Sequence, residues 1–361
     1  MSRWQGQTPR KVAVLGAGSW GTAFAQVVAQ AAALRPDPWQ TLLWGRSAEA
    51  MDTMARTGRN EKYFPGLQLP DSLTYTSDLV QAVTGADIVV LALPSQVLRS
   101  QLEVLAPSLE ADALLLSLAK GLEEGSGLRM SQVVEEVVTA QLASRGASPE
   151  ELAQVTQRVA VLSGPNLAKE IVAGQPTTSV VAARQLEVAD YLAQICVTDY
   201  FRPYTNSDLV GVEVGGLVKN IIALCVGICE GRQYGDNSKA SVMTRGLAET
   251  TRLAKALGGR AETMSGLAGM GDLIATCSSP LSRNHTAGRL LAEGVSPQDL
   301  PKAMSQTAEA VKSAPVLAQL ARRLGVEMPI TEAVVAVLEG QMTVDQLAPA
   351  LLGRRLKSEE P

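Results

Sequence analysis

The sequence of 361 residues predicts an α/β fold. We expect an N-terminal Rossmann-type domain with a doubly wound parallel sheet, followed by an all-α C-terminal domain. Two observations predict this arrangement. Near the N-terminus a β-branched strand pattern runs directly into a glycine-rich turn and a helix. Short apolar runs then alternate with helical stretches as far as residue 206, after which helical periodicity replaces the strand pattern. The first domain is therefore assigned to residues 1–206 and the second to 207–361.

The strand at 11–15 leads into the pattern G-x-G-x-x-G, with its glycines at Gly16, Gly18 and Gly21. Gly16 suits a tight turn, Gly18 lets the backbone approach a pyrophosphate, and Gly21 lets the helix pack on the strand. The N-terminus of that helix favours phosphate groups. A glycine-rich turn without function is the alternative. Because a strand precedes the pattern and a helix follows it, we predict that the first domain binds a dinucleotide.

Five further strands are predicted in the first domain by short apolar runs bounded by turn residues. They span residues 41–44, 86–93, 114–118, 158–162 and 178–182. Since helical stretches separate them, all are expected to lie parallel in one sheet.

The end of the second strand bears on the choice of nicotinamide cofactor. Enzymes that bind NAD usually carry an Asp or Glu there for the ribose 2′-hydroxyl. This chain has Trp44, Gly45 and Arg46. An arginine without a neighbouring carboxylate could pair with a 2′-phosphate, so NADP (as NADPH) is favoured over NAD. A solvated surface charge is the alternative interpretation of Arg46.

Composition excludes several classes of protein. The net charge is −4 and the charges are dispersed, so no nucleic-acid partner is expected. One histidine and four cysteines without a C-x-x-C pair leave almost no ligands for a metal site, and the thiols are expected to be reduced. The uncharged run from Val12 to Leu34 is too polar and glycine-rich for a membrane span. We expect a cytoplasmic protein without stable membrane insertion.

Lys219 carries the strongest chemical signal, because it lies in a largely apolar stretch, 215–224. A buried ammonium needs a partner or a change of protonation state, and such a lysine can exchange a proton near neutral pH. Asp272, in a glycine-rich segment, could orient it. The group Ser282-Arg283-Asn284 would suit a phosphate or another anion, with a solvated helix-terminal charge as the alternative for Arg283. Together with the dinucleotide fingerprint, Lys219 indicates a dehydrogenase.

Two other groups are interpreted as structural. His285, the only histidine, is predicted to be a helix-surface residue beside the anion site rather than a catalytic acid. Cys225 and Cys229 are predicted to be small core residues on one face of the helix that carries Lys219.

The chain resembles bacterial NAD(P)-dependent glycerol-3-phosphate dehydrogenases in a series of short motifs that occur in the same order. The resemblance runs from Val12 to about Arg355. The motifs are GAGSWGTA at 16–23, LWGR at 43–46, AKGLE at 119–123, LSGPNLAKE at 162–170, GGLVKN at 215–220, TRGLAE at 244–249, GMGDL at 269–273 and SRN at 282–284.

This resemblance implies reversible reduction of dihydroxyacetone phosphate to sn-glycerol 3-phosphate, which supplies glycerophospholipid synthesis. It makes Lys219 the general acid/base. It implies substrate contacts for Lys120, Gly164, Asn166, Lys219, Asp272, Ser282, Arg283 and Asn284. Besides the fingerprint glycines, it implies cofactor contacts for Ser19, Trp20, Arg46, Lys120, Ala168, Arg283 and Glu309. The apolar second domain could also support a homodimer.

Two positions depart from the family pattern. Asn166-Leu167 stands where the family generally has Ser or Thr followed by Phe, and Thr307 stands where an aliphatic residue usually precedes Glu309 by two positions. Two alternatives stay open. A β-hydroxyacid or ketopantoate-type dehydrogenase would not need the cluster at 282–284, and a non-catalytic NADPH sensor would bind cofactor without turnover.

Overall fold

The computed structural model describes residues 8–304, 308–353 and 355. The chain divides into two compact units, Met1–Glu213 and Val214–Pro361. The predicted boundary lies after Asn206, where the last strand ends. Unit 1 therefore also includes the seven residues 207–213, which contain the start of the next helix.

Unit 1 is built on one sheet of eight strands. They are β1 (Lys11–Leu15), β2 (Gln40–Trp44), β3 (Leu73–Thr76), β4 (Ile88–Leu91), β5 (Leu114–Ser117), β6 (Val159–Ser163), β7 (Thr177–Ala183) and β8 (Phe201–Asn206). Their order in the sheet is β3-β2-β1-β4-β5-β6-β7-β8. The direction of winding reverses between β1 and β4, which is the topology predicted from the fingerprint.

The sheet is mostly parallel, as predicted, but the prediction that all predicted strands lie parallel is wrong for β7. β7 pairs antiparallel with β6, with Ser163 opposite Val180, and β8 pairs parallel with β7. The connection from β6 to β7 contains only the five-residue helix Ala168–Val172. In a parallel crossover the helix usually packs along the whole strand, whereas a helix of five residues rises only about 7.5 Å against about 17 Å for β6. β3 and β8 were not predicted, and β8 contains Pro203, which is typical of edge strands.

Helices cover both faces of the sheet, as a parallel sheet requires. Val12 and Val14 face one apolar core, whereas Ala13 and Leu15 face a second core on the opposite side. The helices of unit 1 are α1 (Ser19–Ala33), α2 (Ala48–Thr57), α3 (Leu79–Val83), α4 (Ser95–Leu105), α5 (Met130–Ser144), α6 (Pro149–Gln154), α7 (Ala168–Val172) and α8 (Leu186–Gln194).

Unit 2 is helical, as predicted, and its described residues contain no strand. Its helices are α9 (Leu209–Gly231, which begins in unit 1), α10 (Asp236–Ala256), α11 (Ala261–Met264), α12 (Asp272–Ser278), α13 (Arg283–Ala292), α14 (Leu300–Ala303), α15 (Glu309–Arg323), α16 (Pro329–Leu338) and α17 (Val344–Leu352). A π-helical segment, Leu267–Gly271, leads directly into α12.

Among the described helices, α9 alone is long and apolar enough to cross a membrane, with a mean hydropathy of 1.9 over its most apolar window. That window is 89% buried inside the protein, which is typical of a core helix. α9 packs on α13 backbone to backbone. A Cβ added at Gly227 would lie 2.0 Å from the His285 carbonyl oxygen, and one at Gly288 would lie 1.9 Å from the Leu224 carbonyl oxygen.

All four cysteines are free, as predicted, and all four are buried, including the pair Cys225 and Cys229 for which burial was predicted. Cys225 and Cys229 lie on the buried surface of α9. Among residues 8–304, 308–353 and 355, no group of three or more His, Cys, Asp or Glu side chains is arranged to hold a metal ion.

A buried carboxylate joins α10 to the start of α16. Glu249 is 1% exposed. It accepts hydrogen bonds from the Ile330 N–H at 2.5 Å, from the Thr331 N–H at 3.3 Å and from the Thr331 hydroxyl at 3.2 Å. Burial raises the pKa of Glu249 to about 7, although these hydrogen bonds oppose the shift.

Candidate active site

The glycine-rich turn between β1 and α1 has the backbone geometry that the fingerprint predicts. Gly16 has φ +121°, and a Cβ there would lie 2.4 Å from the Ala92 carbonyl oxygen. A Cβ at Gly21 would lie 1.9 Å from the Gly16 carbonyl oxygen. In contrast, a Cβ at Gly18 would meet no described atom within 4 Å. The outer glycines are therefore needed for the turn, and the middle one leaves its backbone open to a ligand.

The residues that follow this turn fit a dinucleotide. α1 begins at Ser19 and has no acidic residue in its first turn, so its N-terminus can accept a phosphate. Ser19 and Trp20 are half-buried. The Trp20 Nε1 atom is buried and has no hydrogen-bond partner in the described part of the chain. A buried donor of this kind is expected to find an acceptor in a ligand or in water.

Arg46 follows a residue that packs on this turn, although Arg46 and the turn lie 25 or more residues apart in the sequence. It is exposed and follows Gly45 directly after β2. A Cβ at Gly45 would lie 2.9 Å from the Ala17 Cβ, so the residue before Arg46 packs on the fingerprint turn. A cation is thus placed where the end of the second strand meets the turn.

A second group of predicted residues lies after β5 and β6 in unit 1. Lys120 Nζ donates a hydrogen bond to the Gly164 carbonyl oxygen at 3.1 Å. Gly164 has φ +125°, in the region that favours glycine. Both amide atoms of Asn166 are buried and have no partner among residues 8–304, 308–353 and 355. Ala168 begins α7 in the same connection. The fold therefore brings Lys120 and Gly164 into contact and leaves the Asn166 amide able to bind a ligand.

Lys219 has the partner that its burial requires. Its ammonium donates hydrogen bonds to the Asp272 carboxylate and, at 2.8 Å, to the Thr276 hydroxyl. The Thr276 hydroxyl in turn donates to Asp272 Oδ1 at 3.3 Å. The side chains of Lys219 and Asp272 are 9% and 1% exposed. The predicted contact with Asp272 is present. Thr276 was missed, although its position four residues after Asp272 on a helix was a usable signal.

Glycines allow the two segments of this cluster to approach closely. A Cβ at Gly215, one turn before Lys219 on α9, would lie 2.4 Å from the Ala268 carbonyl oxygen. A Cβ at Gly269 would lie 2.2 Å from the Met264 carbonyl oxygen. The π-helical segment can therefore lie against α9 and deliver Asp272 to Lys219.

Cys277 lies next to this cluster. Burial raises its pKa to about 12, and the Asp272 charge adds to the shift while the Lys219 charge opposes it. This thiol stays neutral at ordinary pH and is not a nucleophile.

The group at 282–284 forms the start of α13. The Ser282 Oγ accepts a hydrogen bond from the His285 N–H at 3.3 Å and caps the helix. Arg283 is exposed, whereas Asn284 is buried and its Oδ1 accepts a hydrogen bond from the Ala310 N–H at 3.0 Å. Asn284 thus holds the start of α15, where Glu309 is half-buried. Thr307 lies outside the described residues.

The prediction that His285 lies on a helix surface is wrong. It is 5% exposed, and its Nε2 atom lies 3.1 Å from Glu230 Oε2. Burial lowers the pKa of His285, and the Glu230 charge opposes the shift. The cause is helix packing, because Gly288 lies one turn later on the same face of α13 and contacts α9 directly.

Two protein-family models match this chain, one mostly within each of its two units. Residues 11–189 match the NAD-dependent glycerol-3-phosphate dehydrogenase N-terminus, and residues 208–349 match the C-terminus of the same family. A protein of Thermobifida fusca named glycerol-3-phosphate dehydrogenase (NAD(P)+) is 48% identical over 349 residues, which cover 97% of this chain and 98% of that protein. One of Streptomyces avermitilis with the same name is 50% identical over 353 residues, with coverages of 98% and 99%.

Solved structures agree with the sequence relatives. The crystal structure of glycerol-3-phosphate dehydrogenase from Coxiella burnetii superposes with a TM-score of 0.85 at 34% identity, covering 96% of this chain and 99% of that one. The matched residues include both glycine-rich segments and Lys219. The chain therefore belongs to the NAD-dependent glycerol-3-phosphate dehydrogenase family.

Proposed function

We propose that this protein catalyses the reversible NAD(P)-dependent reduction of dihydroxyacetone phosphate to sn-glycerol 3-phosphate. The observation that carries the proposal is the buried ammonium of Lys219, held by the Asp272 carboxylate and the Thr276 hydroxyl. Ketone reduction needs a proton donor of this kind. The open glycine turn of unit 1 supplies the other requirement, a site for a dinucleotide.

The nicotinamide supplies the hydride when it is bound in its reduced form. Reduction of the ketone would place negative charge on the carbonyl oxygen. The Lys219 ammonium stabilises that charge and transfers a proton from Nζ to the oxygen. Asp272 pairs with the Lys219 ammonium in apolar surroundings, and Thr276 fixes the direction of Nζ. In the reverse reaction, the neutral amine of Lys219 accepts the proton of the alcohol.

The substrate phosphate is assigned to the start of α13. Ser282 and Arg283 combine the N-terminal turn of a helix with an exposed guanidinium, which suits a dianion. Asn284 lies beside them. In unit 1, Lys120, Gly164 and Asn166 are assigned to the polar part of the substrate, and the unpartnered amide of Asn166 supports this assignment. An amide offers a donor NH₂ group and a separate acceptor oxygen, so it can contact two polar atoms of a ligand.

The dinucleotide is assigned to the glycine turn and to the residues around it. Gly16, Gly18 and Gly21 would hold the pyrophosphate together with Ser19 and Trp20. Arg46 would pair with a 2′-phosphate, so NADPH is the proposed preference. Remaining contacts are assigned to Lys120, Ala168, Arg283 and Glu309. Reduction in this direction would supply glycerophospholipid synthesis in the cytoplasm, and the protein would act as a homodimer.

The experiment measures the oxidation of NADPH, through its loss of absorbance, with each of several ketone substrates in turn. We expect turnover of dihydroxyacetone phosphate and little turnover of dihydroxyacetone or ketopantoate. The Arg283→Met variant should raise KM for dihydroxyacetone phosphate about tenfold or more, because one charge-assisted contact to the phosphate is lost. Turnover of ketopantoate alone would assign the protein to another reaction. NADPH binding without turnover of any ketone would contradict an enzymatic role.

A further inference from the structure

Two side chains of α4, Gln96 and Arg99, hold the loop 121–127 that follows Lys120, and the proposed reaction uses neither of them. Gln96 Nε2 donates a hydrogen bond to the Leu122 carbonyl oxygen at 2.8 Å. Gln96 Oε1 accepts a hydrogen bond from the Glu124 N–H at 2.9 Å. One amide therefore holds the loop backbone on both sides of Glu123, much as a neighbouring strand would.

Arg99, three residues later on α4, holds the side chain between those two contacts. Its Nε atom donates to Glu123 Oε1 at 2.8 Å and its Nη2 atom donates to Glu123 Oε2 at 2.9 Å. Two parallel hydrogen bonds of this kind fix orientation as well as distance. Glu123 Oε2 also accepts from the Ser126 hydroxyl at 2.6 Å, and Arg99 Nη1 donates to Glu136 of α5 at 3.1 Å. The side-chain hydrogen bond from Arg99 holds the pKa of Glu123 below its usual value, so this carboxylate is charged at neutral pH.

Lys120 lies two residues before the Gln96 contact on Leu122, and its own Nζ reaches the Gly164 carbonyl oxygen after β6. α4 follows β4, Lys120 follows β5 and Gly164 follows β6. Three neighbouring connections at one edge of the sheet are thus joined, with Lys120 in the middle. Two residues span only about 7 Å, so a shift of the Leu122 carbonyl is passed directly to Lys120.

We propose that Gln96 and Arg99 are positioning residues for Lys120, and that they act through the loop 121–127. This inference rests on the proposed function, in which Lys120 contacts substrate and cofactor. Lys120 has a long flexible side chain, and its hydrogen bond to Gly164 fixes only the tip. The contacts from α4 fix the backbone from which that side chain extends. A misplacement of about 1 Å at such a group can reduce turnover by about a hundredfold.

The test uses Gln96→Leu and Arg99→Met, which keep side-chain volume and remove the hydrogen bonds. Arg184→Met is the matched control, because Arg184 also forms an ion pair with a glutamate of α5, Glu135. Side-chain exposures are 35% and 15% in that control pair and 29% and 15% in the Arg99–Glu123 pair. We expect kcat/KM for dihydroxyacetone phosphate to fall about tenfold or more in both α4 variants and to stay within about twofold in the control. Since partly exposed ion pairs contribute little to folding, Tm should change by similar small amounts in Arg99→Met and Arg184→Met.

A double-mutant cycle with Lys120→Met separates positioning from a general structural role. If Arg99 acts through Lys120, Arg99→Met should cause no further loss once Lys120 is replaced. Losses in kcat/KM that multiply in the double variant would overturn the proposal. So would wild-type kcat/KM in both α4 variants.

The same cycle is run on the Kd for NADPH, measured by fluorescence titration. This readout still decides the proposal if the wild type reduces none of the ketones. Arg99→Met should then weaken NADPH binding with Lys120 present and have no effect in the Lys120→Met background. Equal effects in both backgrounds would overturn the positioning role, whereas absent turnover by the wild type would count against the proposed function alone.

Discussion

Removal of the Asp272 charge should lower the free energy of unfolding, because the buried Lys219 ammonium loses its ion-pair partner at this position. Asp272→Asn keeps the size of the side chain and an oxygen acceptor. It removes the charge that pairs with the ammonium at a site where the side chains of Lys219 and Asp272 are 9% and 1% exposed. Breaking one partner of a buried pair costs about 3–5 kcal/mol. Because the Thr276 hydroxyl, 2.8 Å from Nζ, remains, we expect the lower end, about 3 kcal/mol of unfolding free energy.

The assay is urea unfolding followed by far-ultraviolet circular dichroism, applied to Asp272→Asn, Lys219→Met and the double variant. Lys219→Met should also lose about 3 kcal/mol, because it removes the ammonium that pairs with the buried Asp272 carboxylate. The double variant removes both charges and should be more stable than the sum of the single losses predicts by about 2–3 kcal/mol. Simple additivity would refute the claim that the pair is energetically coupled. Asp272→Asn should also lower kcat by about a hundredfold, because the charged proton donor is disfavoured.

Three further changes test other parts of the structure. The pKa of Glu249 is raised from 4.5 to about 7, so the folded state binds this proton more tightly than the unfolded chain. Its contribution to stability is therefore present below about pH 4.5 and is lost as the pH rises through 7, by about 3 kcal/mol at 1.36 kcal/mol per pKa unit. Glu249→Gln should remove that pH-dependent loss of unfolding free energy, measured by urea titration at several pH values. Identical pH profiles for the wild type and the variant would contradict the assignment. Gly215→Ala would place its Cβ 2.4 Å from the Ala268 carbonyl oxygen, so it should lower the unfolding free energy by about 1–3 kcal/mol and reduce activity. Gly235→Ala is the control, because its Cβ meets no described atom within 4 Å, and it should lower the unfolding free energy by less than about 1 kcal/mol. Arg46→Ala should raise KM for NADPH about tenfold and leave KM for NADH within about twofold; an equal change for both cofactors would contradict the role in 2′-phosphate binding.

The features that sequence predicted best depend on neighbouring residues. The strand, glycine turn and helix around Gly16 form one local unit, so pattern and structure agree. Lys219 and Asp272 are 53 residues apart, yet their contact was predicted because a buried ammonium needs a carboxylate and the chain offered one in a glycine-rich segment. Here a chemical requirement compensated for the lack of local information.

The features that sequence did not predict depend on distant packing. The direction of β7 depends on how the chain packs between β6 and β7, and the apolar residues of β7 would look the same in either direction. The burial of His285 depends on a helix crossing at Gly288. Gln96 meets its loop partners 26 and 28 residues away, and no local motif marks that contact.

The central claim is that Lys219 donates the proton in ketone reduction, and the most direct measurement is kcat for Lys219→Ala with dihydroxyacetone phosphate and NADPH. NADPH affinity, measured by fluorescence titration, serves as the control for a folded dinucleotide site. The account predicts that kcat falls by about 10²–10⁴ while the Kd for NADPH stays within about twofold of the wild type. A variant that binds NADPH normally and keeps a kcat close to the wild-type value would contradict the account.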